Sequence, residues 1–206
     1  MSGAAGGCQR SSTLAQPLMI RPWLALPIVV LLLGACGGRP PPPARGVLEV
    51  DVANWRFRRY QEVLDVEVWI EGNRGVAYTA TYARDAAEKA NRLGDEDIAT
   101  AFVTRFDRDE GVLRETVKFV RRLAQEAGYV VEETKVAGVR CVTITGRDEA
   151  WALWSAPRHV VKIGGHGRTS VPGALVESYG DRYPSTLTDN VLEGPLPPAA
   201  TDPKKK

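Results

Sequence analysis

The chain has 206 residues, with 27 basic and 25 acidic groups, a formal net charge of +2, and three cysteines. The first 36 residues carry two of the basic groups, Arg10 and Arg21, and no acidic one, so the remainder is balanced at 25 of each. That balance lacks the basic surplus on which nucleic-acid binding rests, and the remaining length suits one domain of common size with its own core.

Residues 23–33 read WLALPIVVLLL, an eleven-residue apolar run. It is shorter than the ~20 residues that a membrane-spanning helix needs and has the length of a secretory h-region. Arg21 stands just ahead of it with no acidic residue nearby, the charge pattern of a segment whose start stays in the cytoplasm. Because Met19 opens a compact MIRPW lead into that run, Met19 is the expected translation start.

Leu33-Gly34-Ala35-Cys36 closes the run. Gly34 and Ala35 are small enough to let a peptidase approach an extended backbone, and the Cys36 thiol is the only good nucleophile in the stretch. This box resembles the lipobox of bacterial lipoproteins. The resemblance covers only the first 36 residues, and it implies a signal peptide over 1–35, cleavage between Ala35 and Cys36, acylation of Cys36 and a lipid anchor in the cell membrane. Gly37 rather than Asp after the cysteine implies the outer membrane where a cell has two. At about 0.8 kcal/mol per buried CH₂, several acyl chains hold far better than one. Cys8 would leave with the leader and Cys36 would be spent on lipid, so Cys141 has no disulfide partner.

Residues 36–46 bear four consecutive prolines and read as a stiff extended spacer, which at about 3.1 Å per residue would lift the domain about 20–30 Å. A single α+β domain is expected over 47–185, and a disordered tail over 186–206, where prolines and KKK replace large apolar residues. Residues 64–71 and 76–82 alternate and read as a hairpin turning at 72–75. A short helix follows and Gly94 stops it; residues 98–106 then read as a strand. Residues 107–110 fit a capping box for an amphipathic helix with Leu113, Val117 and Val120 on its apolar stripe, ended by Gly128. From Tyr129 four β-rich runs separated by two-residue turns predict an antiparallel meander, and a last helix runs from Pro172 to a stop at Gly180. The predicted class is α+β: mainly antiparallel sheet, hairpin plus C-terminal meander, covered on one side by two or three helices.

The candidate chemistry is sparse. DRDEG at 107–111 lacks the spacing of a calcium loop, and GGHG at 164–167 lacks a phosphate-binding pattern and reads as a turn. His159 and His166, the only histidines, do not make a zinc site, and no metal or cofactor is expected. Arg114, Lys118, Arg121 and Arg122 read as a solvated face. Trp151 and Trp154 fall on opposite strand faces, so one ring is expected in the core; a covered second ring is the favoured reading, and only if exposed beside Tyr179 and Tyr183 would it be a contact for protein or sugar. The expected function is a membrane-anchored, non-catalytic binding or accessory module for an envelope protein or cell-wall glycan. The alternative is an envelope hydrolase or redox accessory enzyme drawing on Cys141, His159 or His166.

Overall fold

The computed structural model describes residues 39–198. Seven strands form one sheet: β1 (Trp55–Val63), β2 (Gly75–Arg84), β3 (Ile98–Phe106), β4 (Val130–Val136), β5 (Val139–Gly146), β6 (Glu149–Ala156) and β7 (His159–His166). All neighbours are antiparallel in the order β1-β2-β3-β7-β6-β5-β4, so β3 against β7 joins the N-terminal strands to the meander β4 to β7. Helices α1 (Asp85–Lys89), α2 (Val112–Leu123) and α3 (Gly173–Arg182) complete an α+β fold, as the sequence predicts.

Registers put Trp154, Ile163, Val103, Tyr82 and Cys141 on one face, and Trp151, Leu153, Val160, Phe102 and Thr104 on the other. On the first face lies α3, whose Tyr179 hydroxyl is 2.8 Å from that of Tyr82, and Trp154 Nε1 donates to the Tyr183 carbonyl at 2.8 Å. On the second lie α2, which crosses β6 and β7, and residues 64–74, where Glu67 pairs with Lys162 at 2.7 Å. Helices therefore cover both faces, not one. That is why β6 (EAWALWSA) is apolar on both phases of its alternation and buried almost throughout.

Several boundaries differ from those expected, each for a local reason. The partner of β2 is residues 55–63 rather than 64–71: Phe57 and Tyr60 pack against Tyr82 and Tyr78, while Arg56, Arg58 and Arg59 keep the sheet edge charged. Residues 64–74 instead fold back over the sheet, burying Val68 and Ile70. Helix α2 starts at Gly111 with φ +82° and no side-chain cap. The 107–110 segment is held by buried Asn73, whose Nδ2 donates to the Arg108 and Glu110 carbonyls at 2.9 and 3.2 Å while its Oδ1 accepts from Arg108 N at 3.0 Å. Strand β7 runs through GGHG to His166 rather than turning there, because Gly164 lets its backbone press against Ala150 and Trp151, where a Cβ would collide. Gly180 lies inside α3, again because a Cβ would strike Val139.

The two flanks are also more ordered than composition implied. Arg182 Nη1 donates to the Pro41 carbonyl at 3.2 Å, and Gly46 N to the Pro43 carbonyl at 2.9 Å, so the chain rests on the domain from Pro41 onward. Pro41 stands five positions after Cys36, so full extension separates the two by at most about 16–18 Å, less than the expected lift. At the other end Leu187 and Val191 are buried. Arg114 donates to the Pro197 carbonyl at 2.6 Å and Arg121 to the Val191 and Gly194 carbonyls at 2.7 and 2.5 Å. Of the four basic residues read as a solvated face, Arg114 and Arg121 thus clamp residues 191–197, while Lys118 and Arg122 are exposed.

Candidate functional site

The four aromatic contact candidates are buried. Trp154, Tyr179, Tyr183 and Trp151 all belong to the core, and none presents a ring to solvent. On the α3 side Tyr179 and Tyr183, together with Tyr82 of β2, form a lock on the N-terminal segment: Tyr179 Oη accepts from Leu48 N at 3.0 Å, Tyr183 Oη donates to the Gly46 carbonyl at 2.5 Å, and Tyr82 Oη donates to the Leu48 carbonyl. Burial pushes all three phenols above their ordinary range, so they remain neutral donors. The Tyr179 and Tyr183 hydroxyls are spent on backbone atoms of residues 46–48, so neither they nor the two tryptophans form the possible contact surface.

Cys141, His159 and His166 do not come together. Cys141 is buried on the α3 face and burial pushes its thiol up to about 11, which leaves little thiolate at neutral pH. The two histidines stand at opposite ends of β7, seven residues apart, a separation of about 23 Å. Among the described residues no three His, Cys, Asp and Glu side chains gather in metal-binding geometry. The expected lipidation and cleavage residues, Cys36 and Ala35, lie outside the described residues.

One polar constellation does assemble, at the end of the sheet where β5 turns into β6. Glu149 Oε1 accepts from Tyr129 Oη at 2.9 Å, Glu149 Oε2 accepts from Trp151 Nε1 at 2.7 Å, and His166 Nδ1 is 3.3 Å from the same Oε2. Lys162 Nζ sits 4.3 Å over the Trp151 ring, whose edge meets Phe102 and His166. Burial alone would raise the Glu149 carboxyl, but the two donors, with His166 and Lys162 nearby, outweigh it and hold the group below the usual carboxylate range. Beside it a cleft of about 310 Å³ is lined by Gly128, Tyr129, Arg147, Asp148, Glu149 and His166. A fixed anion, an exposed imidazole and a guanidinium around one cleft can bind a polar group by charge-assisted hydrogen bonds. Sequence reading missed Glu149 because its partners come from the residue before β4, from β6 and from β7; the register of the meander was the available signal.

The opposite end of the sheet carries a different surface. Register places the 64–74 excursion, the β3 terminus, the 157–158 turn and the 137–138 turn at that end. Leu64 is 97% and Trp69 71% exposed, and they flank a cleft of about 430 Å³ floored by Val66, Ile70 and Phe106. Trp69 was legible: it stands on the polar phase of the 64–71 alternation, among Asp65, Glu67 and Glu71.

No family model, curated protein or solved structure matches this chain.

Proposed function

We propose that this chain is a lipoprotein of a bacterial cell envelope, tethered through acyl chains on Cys36, whose domain acts as a non-catalytic binding or accessory module. The observation that carries the reading is the Leu33-Gly34-Ala35-Cys36 box at the end of an eleven-residue apolar run, with Cys36 eleven positions before the first buried core residue, Val47. In a two-membrane cell Gly37 directs the protein to the outer membrane.

The binding surface in this reading is the Tyr129, Glu149 and His166 cleft. It lies at the end of the strands away from the 137–138 turn, beside which Arg39 leads the chain toward Cys36. A carboxylate kept charged by two fixed donors offers a ready partner to a cationic or hydroxyl-rich group, as found on an envelope protein or a cell-wall glycan. The test is cross-linking in intact cells followed by mass spectrometry of what is recovered with the acylated protein. A protein or glycan adduct lost in Glu149→Gln and His166→Ala, but kept in Trp69→Ala, supports the cleft; an adduct indifferent to both cleft substitutions removes it.

A further inference from the structure

We infer that β4, an edge of the sheet, pairs antiparallel with β4 of a second copy of this chain about a two-fold axis at Thr134. The inference is independent of the lipid-anchor reading.

The edge is open by construction. β4 ends the strand order, and both residues of the turn that joins it to β5, Ala137 and Gly138, have positive φ, 48° and 83°. A two-residue turn of that kind closes on a doubly hydrogen-bonded pair, here Val136 with Val139, and the ladder then alternates. Val130, Glu132, Thr134 and Val136 therefore bond inward to β5, while the N–H and C=O groups of Val131, Glu133 and Lys135 point away from the sheet. Among the described residues no other backbone group bonds to them. β4 has no proline, glycine or bulge to blunt it, and residues 132–135 are all exposed. The other edge, β1, is blunted by a bulge at 57–59 and by Arg56, Arg58 and Arg59.

Charge complementarity selects a second copy and its register. In an antiparallel pair, opposed residues face the same side of the sheet, so the axis between two identical strands falls on a residue. Axes at Glu132, Glu133 and Thr134 pair at least five of the seven residues of β4. The first sets Glu132 against its own copy and the second sets Glu133 against its own, both destabilising. The axis at Thr134 instead sets Glu133 against the second copy's Lys135, twice over, and each such pair exchanges both of its outward backbone bonds. Lys135 gains a carboxylate there: its neighbour across β5 is Arg140, which is itself paired with Asp189. Glu133 is already positioned, since its Oε1 accepts from Leu192 N at 2.6 Å and Oε2 is left for the ammonium. On the α3 side Glu132 meets Val136, and Glu177 and Asp181 share a cleft with Arg39, Lys135 and Arg140, so no surplus of one sign opposes the pairing.

The test is a disulfide at the axis. In the non-hydrogen-bonded pair that Thr134 forms with its own copy, the Cα atoms lie about 4.5 Å apart, within disulfide reach. Glu132 stands about 14 Å from its copy in the same register, out of reach. The full chain carrying Thr134→Cys is purified in mild detergent, oxidised with copper phenanthroline and run on non-reducing gels beside Glu132→Cys and wild type, whose native cysteines set the baseline. Thr134→Cys is expected to give at least about fivefold more linked dimer than Glu132→Cys. Adding Glu133→Lys is expected to remove that excess, and adding Lys135→Glu as well to restore it, although the bond from Leu192 N stays lost. No excess from Thr134→Cys, or an excess that Glu133→Lys leaves intact, overturns the pairing. Loss without restoration by Lys135→Glu traces the effect to the Leu192 bond and overturns it too.

Discussion

At Gly164 the β6 and β7 backbones touch where any other residue would place a carbon against the Ala150 carbonyl and Trp151 Cα. Gly164→Ala is expected to cost about 2–3 kcal/mol in urea unfolding, because neither strand can yield without breaking its ladder. His159 shows a second kind of residue-scale effect. Its imidazole is pushed below 6.5, chiefly by burial against Tyr183, so the unfolded chain binds the proton more readily than the folded one. The resulting stability is whole above pH 6.5 and is lost as pH falls through the lower native value. His159→Gln is expected to flatten the unfolding midpoint over that window, and an unchanged slope counts against the assignment. Trp154→Ala should cost about 3–5 kcal/mol and Trp69→Ala less than about 0.5, since one ring fills the core and the other stands in solvent. Sequence alternation put Trp151 and Trp154 on opposite faces correctly, yet both faces of β6 are covered, and a two-phase pattern of apolar residues was the sign of it.

Elements with short turns were the readable ones. The meander from β4 to β7 follows its sequence pattern because two-residue turns at 137–138, 147–148 and 157–158 leave no freedom in register. The N-terminal hairpin was set wrongly because residues 55–63 carry three arginines and a bulge at 57–59, while the more regular alternation of 64–71 belongs to the excursion. The C-terminal segment was equally hidden: its few apolar residues are scattered, but Leu187 and Val191 find the core because Arg114 and Arg121 of α2 capture the carbonyls around them. Removing residues 186–206 is therefore expected to cost at least about 3 kcal/mol, the burial of those two side chains, measured as a shift in urea midpoint. A midpoint unmoved by the truncation contradicts the clamp.

For the molecule as a whole, the fold class followed from pattern, whereas the Glu149 cleft and the Trp69 end depend on which strands become neighbours, and no local periodicity encodes that order. The order gives the domain two unlike ends, a polar cleft at one and a braced apolar excursion at the other. The central claim is the acylation itself, and its most direct measurement is metabolic labelling of the full chain in bacterial cells with radioactive palmitate. The account predicts label on the wild type and on Cys141→Ser, and none on Cys36→Ser; an unlabelled wild type, or label that survives Cys36→Ser, contradicts it.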